Sequence, residues 1–183
     1  NLNTARRSIG GAGIQTSALA FGGQEPGSAS AKTESWDGSS WTETSDLNTA
    51  RMGVQGAGHS NTAAIGAGGG LSPVVNNVEQ WDGSSWTEKN NLNTARTGSG
   101  FAGDSTSGLL FGGGTPGQVA NTEAWDGSSW TEVADLGYAR RYLGRAGTGT
   151  TDALALSGGT TTAVANVEEW QAADFQIKSV TTS

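Results

Sequence analysis

Two residues of opposite charge recur through this chain at a fixed interval. Arginine stands at Arg6, Arg51, Arg96 and Arg140, and glutamate at Glu34, Glu79, Glu123 and Glu168. A guanidinium and a carboxylate brought together can hold a polar ligand, or can pair with each other inside the protein. Four copies of one arrangement favour the second use, since binding seldom needs four identical sites. Each glutamate precedes a tryptophan by two residues, at Trp36, Trp81, Trp125 and Trp170. On a strand that spacing puts carboxylate and indole on one face. A buried tryptophan then implies a buried carboxylate, which needs a charged partner. The expected partner is the arginine of the same copy or the next, held in two-pronged geometry.

The remaining reactive residue types give less. The first tryptophans and a second set, Trp41, Trp86 and Trp130, could stack sugars, but a large apolar indole suits a buried anchor. Asp37, Asp82 and Asp126 begin Asp-Gly-Ser-Ser turns; with no further acidic residue beside them they are a thin ligand set for calcium. His59 lies in a polar turn. No glycine-rich loop precedes a helix, so the 30 glycines do not read as a phosphate cradle. No nucleophile–base pair stands out. The expectation is a protein that is not an enzyme and carries no cofactor or metal.

The elements that position these residues follow from the repeat. The first tryptophans are 45, 44 and 45 residues apart, and the arginines 45, 45 and 44. Two independent markers with one period define an array of four units, over about 2–46, 47–91, 92–135 and 136–183, within one domain. In the first copy, Ser8–Gly13 and Thr16–Phe21 read as short strands, Gln24–Lys32 as a loose loop, and Thr33–Trp36 and Trp41–Glu43 as two more strands. Asp37-Gly38 between the last two is a strong hairpin signal. No stretch shows a helical period. Four-stranded units in tandem read as blades of an all-β propeller: four blades closing on themselves, or a segment of a larger ring. The first strand of each copy is rich in Gly and Ala, as an innermost strand beside a narrow axis requires.

Composition agrees. Leu, Ile, Val and Phe total only 28 of 183 residues, but seven tryptophans supply the missing bulk. A net charge of -7 with thinly spread Lys and Arg argues against nucleic acid. No apolar run has the length of a membrane span. The absence of Cys excludes disulfides and thiolate metal sites. The chain shows no signal peptide and starts at Asn1, which reads as a processed protein or a fragment of a longer one.

These residues resemble the kelch repeat along essentially the whole chain. Kelch blades carry Gly-Gly after the second strand, Glu and an aromatic on the third, a Trp opening the fourth, and then a Leu and an Arg leading into the next blade. Here the glycine pairs are Gly22-Gly23, Gly68-Gly69, Gly112-Gly113 and Gly158-Gly159. The second aromatic is Trp41, Trp86, Trp130 and finally Phe175. Trp stands where kelch usually has Tyr, and the turn between the aromatics is short. The strings WDGSSWTE and LNTAR also resemble kelch-like repeats in structural and tail proteins of marine bacteriophages. The resemblance implies a propeller with the tryptophans in its core. The kelch family includes a copper oxidase whose site needs His, Tyr and Cys; this chain offers His59, Tyr138, Tyr142 and no Cys.

Sequence variation concentrates between the second and third strands. The candidate ligand-binding residues are Gln24, Glu25 and Pro26, then Leu71, Pro73 and Val74, then Thr115, Pro116 and Gln118, and finally Thr161 and Thr162. A constant scaffold with variable loops on one face is a layout for recognition. The expected function is a recognition or display module of a virion tail, fibre or other extracellular appendage. Its expected partners are a host-surface glycan or protein and the parent virion or appendage protein; oligomers are compatible with this. The alternatives are a structural repeat or oligomerisation unit without a ligand, and an intracellular kelch adaptor.

Overall fold

The computed structural model describes residues 1–70, 72–171 and 174–178, the last five through their backbone. It is all β, with no helix among the described residues, and its four main sheets are each four-stranded and antiparallel. Blade 1 contains β1 (Gly10–Ile14), β2 (Ser17–Phe21), β5 (Thr33–Trp36) and β6 (Trp41–Thr44), with a small hairpin of β3 (Gln24–Glu25) and β4 (Ser28–Ala29) between β2 and β5. Blade 2 is β7 (Gln55–Ser60), β8 (Ala63–Ala67), β9 (Val78–Trp81) and β10 (Trp86–Lys89). Blade 3 comprises β11 (Gly100–Gly103), β12 (Gly108–Phe111), β15 (Thr122–Trp125) and β16 (Trp130–Val133), with the hairpin β13 (Gly114–Thr115) and β14 (Gly117–Gln118). Blade 4 is β17 (Gly144–Ala146), β18 (Asp152–Leu156), β19 (Val167–Gln171) and β20 (Asp174–Lys178). The segment expected as a loose loop in copy 1 is thus partly paired, Gln24 with Ala29 and Glu25 with Ser28.

The outer hairpins follow from the Asp-Gly turns. Trp36 pairs with Trp41, Trp81 with Trp86 and Trp125 with Trp130, each across a four-residue turn. Gly38, Gly83 and Gly127 hold φ of 98°, 99° and 93°, a region closed to residues with a Cβ. In blade 4, Trp170 pairs with Phe175. The Phe175 and Lys178 side chains lie outside the described residues.

The innermost strands β1, β7, β11 and β17 enclose an axial channel of about 230 Å³. Their small residues are there because backbones meet: a Cβ on Gly56 would stand 2.5 Å from the Gly11 carbonyl oxygen. Arg145 crosses the channel from blade 4 and donates to the Gly56 carbonyl of blade 2 at 3.0 Å. Four blades around one channel make this a four-bladed propeller rather than a slice of a wider ring.

Tryptophan builds the core between blades. Leu19, Phe21, Leu47, Val54, Ala64, Trp81 and Trp86 form the cluster joining blades 1 and 2. Ile65, Val78, Leu92, Phe101, Trp125 and Trp130 join blades 2 and 3. Leu109, Phe111, Leu136, Leu143 and Trp170 join blades 3 and 4. An indole hides roughly 150–250 Å², which at about 25 cal/mol/Å² is worth around 4–6 kcal/mol of transfer free energy. That is how a chain poor in aliphatics closes three interfaces. No such cluster joins blade 4 to blade 1 among the described residues. Trp36 and Trp41 are only half-buried, and Gly144–Ala146 are exposed where their blade 3 equivalents Gly100–Ala102 are buried.

The glycine pair of the fourth copy is displaced by one residue from its sequence assignment. The first members of the pairs, Gly22, Gly68 and Gly112, have φ of 63°, 61° and 61°, and the second members, Gly23, Gly69 and Gly113, have 103°, 109° and 106°. In blade 4 that signature falls on Ser157 (53°) and Gly158 (106°), not on Gly158-Gly159. Ser157 N–H also donates to the Asn166 carbonyl at 2.8 Å, as Gly22 does to Lys32 at 3.0 Å.

The indole N–H groups divide by partner. Trp36, Trp81, Trp125 and Trp170 donate to carbonyls of Gln15, Asn61, Ser105 and Thr150 in their own blades. Trp86 instead reaches blade 1 and donates to the Thr33 hydroxyl at 3.0 Å. The residue equivalent to Thr33 in blade 2 is Val78, which packs in one cluster with Trp130 but offers no acceptor. The Trp130 indole N–H is accordingly buried without a partner. Val78→Thr should supply the acceptor and stabilise the fold by about 1 kcal/mol, whereas Thr33→Val should orphan Trp86 and cost about 1–3 kcal/mol. Denaturant midpoints of the two variants check both signs.

Candidate functional site

The recurring charges pair within each blade. Arg6 Nη2 donates to Glu34 Oε1 at 2.7 Å and Arg96 Nη2 to Glu123 Oε1 at 2.6 Å; Arg51 pairs likewise with Glu79 and Arg140 with Glu168. These eight side chains are at most 2% exposed. Each arginine therefore serves the glutamate of its own copy, not that of its neighbour. Burial pulls the Arg96 guanidinium below its ordinary value, and the charge of Glu123 beside it opposes that shift.

The pairs are single-pronged, which corrects the two-pronged geometry expected from sequence. The second carboxylate oxygen is taken by the chain itself. Glu79 Oε2 accepts from the Asn48 backbone N–H at 2.7 Å and its side-chain amide at 2.8 Å, and Oε1 accepts from Thr49 N–H at 3.4 Å. Glu123 is held the same way by Asn93-Thr94, and Glu34 by the backbone N–H groups of Asn3 and Thr4, while the Asn3 side-chain amide donates to the Trp41 carbonyl. The string LNTAR is thus one device, whose Asn, Thr and Arg all converge on a single carboxylate. In copy 4 it reads LGYAR, and Glu168 keeps Arg140 and the Gly137 N–H. Arg51 sends its spare donors to carbonyls, of Gly68 at 3.0 Å and of Gly66 at 3.3 Å, whereas the Nε–H groups of Arg6, Arg96 and Arg140 are buried without a hydrogen-bond partner. Buried and paired within their own blades, these residues hold the blade structure and offer no exposed polar group to a ligand.

The turn aspartates are also engaged. Asp37 accepts from the Ser40 N–H and from the N–H and hydroxyl of Ser39. The Ser40 bond leads the causes that lower its pKa to about 2, and the Ser85 N–H does most for Asp82, also about 2; Asp126 is lowered by the same means. His59 lies in strand β7 and not in the polar turn expected from sequence; it is exposed, 3.9 Å from Asp104 on the channel mouth opposite the variable loops. Among the described residues no group of three or more His, Asp or Glu is gathered as a metal would need.

The variable loops share one face with the connections entering the inner strands. Arg7 and Gln24 exchange backbone hydrogen bonds, as do Thr97 with Gly114 and Arg141 with Gly159. Neighbouring loops meet in pairs. Gln24 of blade 1 and Pro73 of blade 2 border a groove of about 370 Å³ that Ala50 and Met52 also line. Gln118 of blade 3 donates to the Thr160 carbonyl of blade 4 at 2.9 Å. Gln24, Glu25 and Pro26 also border a hollow of about 450 Å³ with Arg7. Pro26, Pro73, Pro116, Thr161 and Thr162 are exposed, while Gln24, Glu25, Val74, Thr115 and Gln118 are half-buried. Leu71 lies outside the described residues.

Sequence reasoning passed over a hollow of about 280 Å³ on this face, bordered by Ile9, Met52, Gln55 and Tyr142. Tyr142 has a sequence signal: it occupies the position that is Gly53 and Gly98 in the middle copies, so the repeat alignment alone marks it as a departure. The class this geometry defines is a four-bladed β-propeller with a loop-bearing face. The chain matches no protein-family model and no curated protein sequence.

Two outcomes check these assignments. Arg51→Met should strand the buried Glu79 charge and cost about 3–5 kcal/mol, against under about 1 for a surface pair, read as a denaturation free energy. An aspartate whose folded pKa lies below its ordinary 3.8 stabilises the fold above that pH and loses the contribution as pH falls toward 2. Carboxyl NMR titration should therefore place the Asp37 and Asp82 midpoints near 2, and Ser40→Ala should leave the Asp37 midpoint low, because the leading donor is the Ser40 backbone.

Proposed function

We propose that this protein is a non-enzymatic, kelch-like recognition and display module of a virion tail, fibre or other extracellular appendage, binding a host-surface glycan or protein. The carrying observation is the division of labour between its two kinds of sequence. The repeated residues spend their polar groups inside the blades, as Glu79 does on Asn48, Thr49 and Arg51. The non-repeated residues gather on one face, in grooves such as that between Gln24 and Pro73. Variable loops on a rigid scaffold leave specificity free to change without cost to the fold. A net charge of -7 suits an uncharged or cationic partner better than a polyanion.

Replacing loops 24–32, 70–77, 114–121 and 160–166 by one common sequence separates this reading from a ligand-free spacer. Binding of the intact chain to a glycan array or to host cells should be lost in the exchanged chain, with melting temperature nearly unchanged. An intact chain that binds neither would be a structural repeat unit, and binding that survives the exchange would move the site off this face.

A further inference from the structure

On the loop-bearing face, where the chain enters the inner strands, lies the hollow of about 280 Å³, and none of its bordering residues is charged. Tyr142 and Ile9 form an apolar wall that is 67% and 38% exposed. Ser8, Gln55 and Thr97 place hydroxyl and amide groups around it. Gln55 spends its side-chain N–H on the Gly53 carbonyl at 3.1 Å, which turns its amide in a fixed direction.

Tyr142 is held in a conformation that its residue type disfavours. Its φ is 59°, in the left-handed region that this position takes in every blade, with Ser8 at 53°, Gly53 at 65° and Gly98 at 68°. The repeat geometry imposes that conformation, and blade 4 meets it with a bulky residue where a serine or a glycine stands in the other blades. Burial does not repay the strain here, since two thirds of the side chain faces solvent. The ring is nevertheless fixed. A Cβ on Gly98 would come within 3.0 Å of two of its carbons, so it lies close over the blade 3 backbone. Its own N–H donates to the Gly98 carbonyl at 2.6 Å, and the Arg141 guanidinium stands 5.1 Å from the ring centroid. An immobilised, exposed aromatic at the edge of an uncharged concavity is a stacking platform.

We propose that this hollow is a subsite for one neutral pyranose ring, stacked by its C–H face on Tyr142 with its hydroxyls toward Ser8 and Gln55. The residues bordering the hollow carry no charge to pair with an ionic group, and the Arg141 guanidinium beside Tyr142 disfavours a cation. A wholly apolar guest would make no use of the Ser8 hydroxyl or the Gln55 amide oxygen. A sugar ring has both an apolar face and a polar rim. The hollow is just below the about 300–1,000 Å³ usual for small-molecule pockets, a size for one ring rather than a chain. The proposal rests on the reading of this face as a recognition surface and narrows its ligand class.

The chain has two tyrosines, and Tyr138 lies outside the hollow at 50% exposure, so it serves as an internal reference. Protein labelled with 13C at the tyrosine rings is titrated with D-glucose, D-galactose, D-mannose and N-acetyl-D-glucosamine. At least one sugar should shift the Tyr142 ring signals saturably and leave Tyr138 unmoved. Tyr142→Gly restores the residue type of the middle blades; it should keep or raise the melting temperature and abolish saturation transfer from protein to that sugar. The proposal is overturned when no sugar moves Tyr142 selectively, or when saturation transfer persists in Tyr142→Gly. The two readings fail separately. Array binding that depends on the loops, with a silent Tyr142, removes the subsite and leaves the recognition face. A Tyr142 response in a chain whose array binding survives loop exchange keeps the subsite and removes the loops.

Discussion

The buried pair of one arginine and one glutamate in each blade is the constraint around which the rest is arranged. A carboxylate such as Glu79, with no exposed surface, is tolerable only when its oxygens are filled. Filling them takes the Asn48 and Thr49 amides and the Arg51 guanidinium, all from the connection that enters the innermost strand. That connection is thereby pinned to the third strand of its own blade. The same arginine also links blades through its backbone: the Arg51, Arg96 and Arg140 carbonyls accept from Gly23, Gly69 and Gly113 of the preceding blade. Side chain and main chain of one residue thus fix the inside of one blade and its distance from the last. A buried pair adds little net stability over a well-packed apolar replacement. Its value here is geometric, because it sets where the chain turns from rim to axis.

Packing follows from that placement. With the connections fixed, the third and fourth strands of one blade present their tryptophans to the second strand of the blade before, as Trp86 lies 4.7 Å from the Phe21 ring. Three interfaces are closed in this way. At the fourth, Trp36 and Trp41 remain half-buried and the β17 strand is exposed, so cohesion is unequal around the ring. Arg145, reaching the Gly56 carbonyl, ties blade 4 across the axis. Regions with fewer buried contacts open first, and the blade 4 side is such a region.

The loop-bearing face inherits its rigidity from these interior devices. Backbone bonds such as those between Arg7 and Gln24, or Thr97 and Gly114, anchor each loop at its root, and the tips are free to differ. The hollow bordered by Ile9 lies among them. Its distinguishing residue, Tyr142, sits two positions after Arg140, so the constraint that builds the blade also presents the aromatic ring to solvent.

Much of the fold was legible from spacing. Two markers with a common period gave four units, Asp-Gly between alternating runs gave the outer hairpins, and the Glu-x-Trp spacing gave a buried carboxylate with arginine as its partner. These succeed because they rest on local geometry, the two-residue period of a strand and the positive φ of a turn. The misses came where side chains and backbone compete in three dimensions. Nothing in LNTAR announces that Asn48 and Thr49 amides occupy the second carboxylate oxygen, so the expected two-pronged pair became single-pronged. Composition placed the fourth glycine pair at Gly158-Gly159, whereas the backbone path put Ser157 in the left-handed position. The orphaned Trp130 N–H depends on Val78 of another blade, 52 positions earlier in the chain. The sequence alone determined the repeat, the strands and the residues that must be buried, because those follow from periodicity and burial energy. Only the tertiary structure decided which copies touch, which polar groups are left over, and that Tyr142 and Ile9 border one hollow, because these depend on how blades rotate about a common channel.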